Sequence, residues 1–310
     1  MTENQQSRKE KAEYRNKAHP HNSAGHRPAR RKRQKYRPGC LFLFFFLLLL
    51  LFFSVLGAVN LVGSVKKKKA AETETAPNLS YVQQSDPARD NPNLVFSNGR
   101  YVDVTKPMVA LTFDDGPLSS VGTQILDDFD KVDGRGTFFV VGNRVSRYPD
   151  EIKRMASEGH EIGNHSYDHN LKLYTMSIPD IQANFQKTND AVMQTAGVTP
   201  ALIRLPGGIE SDNMKKALSE PLISWRLDTD DWKTRNAQTT VSKVVGQVKD
   251  GDIVLMHELY QPTADACKTI IPELTEEGFQ LVTVSEMIRF KNVSVQPGIQ
   301  YTDFIAKAAG

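Results

Sequence analysis

The 310-residue chain has only two cysteines, Cys40 and Cys267, so no disulfide framework can staple it and its stability must come from a buried apolar core. It has no P-loop, no GxGxxG fingerprint and no repeat of fixed period, which argues against the common phosphate-cradling and dinucleotide-binding classes and against a solenoid. Between Cys40 and Val65 there is no charged residue. The run LFLFFFLLLLLFFSVLGAVNLVG, at about 1.5 Å rise per residue, is long enough to cross about 30 Å of hydrocarbon, and it predicts one transmembrane helix over 41–65. A cleaved signal peptide, whose apolar core spans about 7–15 residues, is the alternative. Cys40 precedes the apolar run and is not placed like the lipid-carrying cysteine of a processed lipoprotein.

The formal net charge of +3 conceals an uneven distribution. Residues 1–40 hold 12 Lys and Arg against 3 Asp and Glu, whereas residues 70–310 hold 23 against 33. The acidic larger part argues against a nucleic-acid partner, because phosphates require clustered cations. The basic N-terminal stretch, RPARRKRQKYRP within it, outweighs the four lysines Lys66 to Lys69 beyond the span. The positive-inside rule therefore places the N-terminus in the cytoplasm and everything beyond Lys69 outside the cell. That topology accounts for the basic tail without invoking lipid or nucleic-acid binding. Cys267 stands alone on its side of the membrane and reads as an ordinary buried cysteine in a helix.

Five segments follow from these shifts: a basic cytoplasmic tail over 1–40, the anchor over 41–65, an extracellular spacer over 66–104, a folded domain over 105–291 and a C-terminal tail over 292–310. The spacer is rich in Thr, Pro, Asn, Ser and Gln and lacks apolar periodicity. Within the folded domain, short apolar runs alternate with longer amphipathic stretches. The runs are MVALTFD (108–114), GTFFVVG (136–142), HEIGNH (160–165), ALIRLPG (201–207), LISWRLD (222–228), DIVLMH (252–257) and FQLVTV (279–284). Seven strands alternating with helices predict an α/β fold with a parallel sheet, either open and doubly wound or closed as a barrel. In both arrangements chemistry collects at the carboxyl ends of the strands.

Those ends carry costly residues. Asp114 and Asp115 close the first run, His165 the third, Asp228 the fifth with Asp230 and Asp231 behind it, and His257 the sixth, while Arg204 lies inside the fourth. His165 and His169, four apart on a helix or tight turn, present two imidazoles at a separation suited to one metal ion. Two neutral imidazoles and one carboxylate make a site for Zn²⁺ or a similar divalent ion with a position left for water. Asp114 and Asp115 point in different directions, so one can ligate while the other accepts the proton of attacking water. Taken singly, DDGP reads as a turn, His257 as a core histidine, and Asp231-Trp232 as a polar loop beside a packed aromatic. Their joint occurrence is what these simpler readings leave unexplained.

In order, TFDDGP (112–117), HSYDH (165–169), RLPGG (204–208), DTDDW (228–232) and LMH (255–257) resemble the five motifs of the polysaccharide deacetylases, the NodB-homology or carbohydrate esterase family 4 enzymes. The resemblance covers about residues 105–290 and makes 105–291 the catalytic domain. It implies a distorted (β/α) barrel of about seven strands, here preceded by one transmembrane helix. It implies Asp114 as general base, Asp115, His165 and His169 as metal ligands, and His257 as general acid. Arg204 would pair with the base, Asp231 would orient the acid histidine, and Trp232 would wall the acetyl group. Gly207 stands where many members carry an aromatic; its backbone N–H is the implied oxyanion donor. The cofactor implied is a divalent metal ion, Zn²⁺ first, with Co²⁺ or Mn²⁺ also suited to the donor set. Anchor and placement resemble those of membrane-tethered peptidoglycan N-acetylglucosamine deacetylases, with a cell-wall glycan as substrate. Another glycan (N-acetylmuramic acid, exopolysaccharide, chitin or xylan) and a catalytically silent glycan-binding module are the alternatives.

Overall fold

A computed structural model of the chain describes residues 87–305. The basic tail, the 41–65 span and the spacer up to residue 86 lie outside the described residues. Among the described residues no helix is long and apolar enough to cross a membrane.

The described chain opens with a hairpin of β1 (Leu94–Ser97) and β2 (Arg100–Asp103). Its turn is Asn98-Gly99, both at positive φ (47° and 81°), the backbone that a two-residue hairpin turn requires. Next comes β3 (Met108–Asp114), buried along its whole length as expected for a continuous apolar run covered on both faces. The parallel sheet grows outward from it. β4 (Thr137–Val140) pairs with the carboxyl half of β3, and β5 (Glu161–Asn164) pairs with β4. On the other edge of β3 lies β8 (Asp252–His257), in register from Val109↔Asp252 to Asp114↔His257.

Between β5 and β8 in sequence come β6 (Leu222–Ile223) and β7 (Leu227–Asp228). Single-residue bridges connect Asn164 to Ile203 and Ile203 to Leu222, while β7 pairs with β8. The pairings thus run from β3 through β4, β5 and Ile203 to β6 on one side and through β8 to β7 on the other, and the chain itself links β6 to β7, consistent with a distorted (β/α) barrel. Helices over Ser119–Asp130 (α1), Pro149–Ser157 (α2), Ile178–Ala196 (α3), Ala237–Val244 (α4) and Gln261–Glu276 (α5) cover it. The longest of them, α3, begins at Ser177, whose side chain accepts from the Asp180 N–H, and stops at Gly197 in the left-handed conformation (φ 72°). Cys267 is fully buried in α5.

Three of the seven expected strands keep no more than two consecutive paired residues. ALIRLPG pairs only through Ile203, because Pro206 has no N–H to continue a ladder and Arg204 turns its side chain inward. LISWRLD is split into β6 and β7, because the carbonyls of Ile223 and Ser224 accept from the Arg204 guanidinium. FQLVTV contributes only β9 (Gln280–Leu281) on the first residues of β3, since Thr283 caps the helix α6 (Val284–Phe290) in a reciprocal box with Glu286.

The folded unit also reaches beyond the expected 105–291. Arg100 of the hairpin is buried, donates from Nη1 and Nη2 to the two Glu286 carboxylate oxygens at 2.8 and 3.0 Å, and Ser97 Oγ donates to the same carboxylate at 2.6 Å. Arg100 also donates to the Leu281 carbonyl, so the hairpin docks at the amino ends of the strands. At the other terminus β10 (Gln300–Tyr301) pairs with β6, and Phe304 is buried with Val102, Met108 and Ile253.

Candidate active site

The opposite end of the sheet holds the polar residues. Asp114 and His257 are direct partners in the β3–β8 register, which brings two strand-end side chains from distant parts of the chain to one level. Asp115 follows in left-handed backbone (φ 71°), which turns the chain out of the strand immediately after Asp114. The His165–His169 segment is a tight turn, not a helix. Ser166 and His169 have positive φ, the Asn164 side chain accepts from the Ser166 N–H, and the Ser166 hydroxyl accepts from the His169 N–H.

This turn aims both imidazoles at Asp115. His169 Nε2 lies 3.2 Å and His165 Nε2 3.5 Å from Asp115 Oδ1. One ligand atom from each of Asp115, His165 and His169 falls within 4.8 Å of the others. His165 Nδ1 is 2.8 Å from the Arg204 carbonyl, to which it donates, so the Nε2 lone pair faces the site. Asp115 Oδ1 is buried and meets no hydrogen-bond donor. A buried carboxylate oxygen without a donor, flanked by two imidazole nitrogens of which one is fixed as an acceptor, is a donor set that fits a divalent cation. Burial opposes charge on Asp115, but the surrounding histidines, His169 foremost, hold its carboxyl far below the usual carboxylate range.

On one side of this triad is Asp114. Its Oδ1 accepts from Arg204 Nη1 at 2.8 Å, and its Oδ2 lies 3.5 Å from His165 Nε2. Arg204 is fully buried, and every arm of its guanidinium is engaged: Nη1 also donates to Thr112 Oγ1 (2.7 Å), Nε to the Ile223 carbonyl (3.2 Å) and Nη2 to the Ser224 carbonyl (2.9 Å). The guanidinium carbon stands 4.2 Å from the Phe139 ring centroid.

On the other side is His257. Its Nδ1 is 2.8 Å from Asp231 Oδ1, while Asp231 Oδ2 accepts from the His257 backbone N–H (2.8 Å) and from Thr263 Oγ1 (2.6 Å). Burial disfavours the imidazolium, but the Asp231 charge and hydrogen bond outweigh it and push the His257 pKa up to about 9. The same contact, against the same opposition from burial, holds Asp231 below its ordinary value. The Trp232 backbone N–H donates to Asp231 Oδ1, so the half-buried Trp232 directly follows the residue that holds His257. Gly207 occupies the turn Pro206–Gly208 just after Arg204 with φ 61°, a conformation that disfavours the aromatic seen in many members of the resembled family.

Sequence reasoning missed the groups that hold these side chains. Thr112 and Thr263 have a signal only in retrospect, as polar residues inside apolar or helical patterns. Tyr260, its ring 6.1 Å from that of His257 and covered by the Arg235 guanidinium, lines the acid side as well. Arg144 donates to the Asp115 carbonyl at 3.2 Å.

The chain is similar to known proteins over this domain. The polysaccharide deacetylase family model matches residues 101–221. Over 190 residues the chain is 41% identical to the peptidoglycan-N-acetylmuramic acid deacetylase PdaC of Bacillus subtilis, covering 61% of this chain and 40% of that protein. The solved structure of PdaC aligns with a TM-score of 0.60 over 62% of this chain and 94% of that one. A peptidoglycan-N-acetylglucosamine deacetylase of Bacillus cereus is 37% identical over 60% of this chain and 90% of its own length. A family 4 acetyl xylan esterase from Clostridium thermocellum, solved with a cobalt ion, is 34% identical with a TM-score of 0.60 over 63% of this chain and 98% of that one. The chain thus spans about two fifths of PdaC and nine tenths of the Bacillus cereus protein, and at 37% identity over nine tenths of the latter it belongs to the polysaccharide deacetylase family.

Proposed function

We propose that the chain hydrolyses the N-acetyl group of N-acetylglucosamine in peptidoglycan, releasing acetate and leaving a free amine. The observation that carries this reading is the placement of Asp114 with Arg204 and of His257 with Asp231 on either side of the Asp115, His165 and His169 donor set. An amide is a poor electrophile, so its hydrolysis needs a base for the incoming water and an acid for the departing amine. Asp114 takes the water proton and His257 returns one to the amine nitrogen. Arg204 gives Asp114 a fixed cation, and Asp231 keeps the His257 proton available at neutral pH.

Asp115, His165 and His169 would hold a divalent cation, Zn²⁺ in first place and Co²⁺ or Mn²⁺ after it. When bound, such a cation supplies Lewis-acid polarisation of the acetyl carbonyl and lowers the pKa of water. In this reading Trp232 walls the acetyl group and the Gly207 N–H faces the oxygen on which charge develops. The peptidoglycan names of the relatives, the uncharged 41–65 run and the spacer after it support a single-pass protein, N-terminus in the cytoplasm, that works on wall glycan at the outer face of the membrane.

Identity of 41% to an N-acetylmuramic acid deacetylase favours a second substrate within the same polymer. The full-length chain, chelated and then reloaded with Zn²⁺, Co²⁺ or Mn²⁺, should release acetate from peptidoglycan fragments of defined acetylation, and Asp115→Ala should abolish it. Release confined to N-acetylmuramic acid would transfer the assignment to that sugar. Release that survives chelation or Asp115→Ala would refute the role of the donor set.

A further inference from the structure

Beneath the Asp114–Leu118 loop lie two buried carboxyls that the mechanism above does not use. Glu258 directly follows His257 and is fully buried, and Glu151 of α2 is 4% exposed. Glu258 Oε1 accepts from the Leu118 backbone N–H at 2.8 Å, and the Glu258 N–H donates to the Asp114 carbonyl at 2.9 Å. The remaining oxygens, Glu258 Oε2 and both of Glu151, meet no donor from the protein.

Two glycines show how closely the pair is fitted. A Cβ on Gly116 would stand 2.0 Å from Glu258 Oε2. A Cβ on Gly122 would stand 1.8 Å from Glu151 Oε1 and 2.4 Å from Glu258 Oε1, so the two carboxyls crowd a single point that only a bare glycine leaves open. Two carboxylates crowded into one buried space are costly to charge together, and one proton between them supplies the missing donor. Burial and the neighbouring Glu151 both push the Glu258 carboxyl well above its ordinary range, against the opposing effects of the Leu118 N–H bond and then the Arg144 cation.

We infer that Glu258 is a positioning residue for the deacetylation: as a neutral carboxyl hydrogen-bonded to Glu151, it accepts the Leu118 N–H and fixes the Asp114–Asp115 loop against the strand end that carries His257. The inference rests on the reading of Asp114 and His257 as base and acid. Through backbone Glu258 joins β3 to β8 at the level of both groups, and through its side chain it holds the far end of the loop. No substrate atom need touch it. A displacement of the loop by a fraction of an ångström changes the angle between base, water and amide, which affects turnover more than binding.

The test compares Glu258→Gln and Glu258→Met in the metal-loaded, full-length chain. Glutamine reproduces the neutral carboxyl, since its oxygen accepts from Leu118 and its amide donates to Glu151. Its kcat should stay within about threefold of the parent, whereas methionine, of similar volume but without an acceptor, should lower kcat at least about tenfold with KM unchanged. Hydrogen exchange at the Leu118 amide should accelerate in Glu258→Met and stay slow in Glu258→Gln. A glutamine variant as impaired as the methionine one would mean that charge, not a neutral carboxyl, is required, and would overturn the inference. So would a methionine variant with parental kcat, or a Leu118 amide equally protected in both. If methionine prevents folding, the glutamine variant's kcat and Leu118 exchange decide alone. Failure of the parent chain to release acetate from any glycan would instead refute the functional reading itself.

Discussion

The His257–Asp231 contact gives the most quantitative prediction. Asp231→Asn removes the anion that faces His257 Nδ1 at 2.8 Å while keeping the side chain's size. With Asp231 ionised, the His257 pKa stands at about 9, against 6.5 for an ordinary imidazole. That difference corresponds to about 3 kcal/mol of preference for the imidazolium in the fold. The group's folded pKa is raised, so its stabilisation is fully present below 6.5 and is lost as pH rises through 9. The lowered pKa of Asp231 reports the same contact and adds nothing further. In the metal-free chain, NMR titration of the His257 ring should give a midpoint near 9 for the parent. In Asp231→Asn burial is no longer opposed by that charge, and the midpoint should fall to 6.5 or below. Melting temperature should decline between pH 6.5 and 9 in the parent and stay flatter in the variant. A bound divalent cation repels the imidazolium in both proteins, so in the loaded enzyme both alkaline limbs of kcat move acidward, with that of Asp231→Asn the lower. An unchanged His257 midpoint in the variant would refute the argument.

Truncation offers a second check. A chain beginning at residue 105 loses the hairpin and strands the buried Glu286 without Arg100, at a cost of about 3–5 kcal/mol, whereas one beginning at residue 87 keeps the pair. Thermal denaturation should separate them by roughly 6–20 °C for a domain of this size, and coincident melting would count against the hairpin as part of the fold. His160 supplies a third, on the acid side. Burial first, then the Arg135 charge, lower its pKa to about 3, so it is neutral in the fold and its stabilisation is lost as pH falls from 6.5 towards 3. His160→Gln should flatten the acid limb of stability across that interval, and an acid limb as steep as the parent's would exclude His160 as its source.

Strand ends and site types were legible because both follow from local rules. Apolar runs such as MVALTFD mark central strands, and an aspartate or histidine closing such a run marks the end where chemistry collects. The hairpin was also written in the chain, as Asn98-Gly99 between LVFS and RYVD, but a spacer-like composition around it hid the turn signal. The partition of LISWRLD was not legible. Its break depends on a guanidinium from residue 204 that arrives from another strand and takes the carbonyls of Ile223 and Ser224, a tertiary contact with no trace in local periodicity. Glu151 and Glu258 were missed for a related reason, since a glutamate on a helix or after a strand reads as exposed until the two are seen to face each other across glycines.

Arg204 shows why the barrel is distorted where it is. Its backbone carbonyl accepts from His165 Nδ1 and so orients one nitrogen of the cation-binding set, while its side chain pairs with Asp114. One residue thereby sets the relative position of the base and the donor set. To reach Asp114 the side chain must run inward across the wall of the barrel, and its buried N–H groups must find acceptors on the way. They find them in the Ile223 and Ser224 carbonyls, which a regular ladder would have used. Successive carbonyls of a straight strand point to opposite edges, so two neighbours that both accept from one guanidinium mark a break within 222–228. The seam between β6 and β7 thus accompanies the placement of a cation against the base, where local pairing gives way to a functional contact.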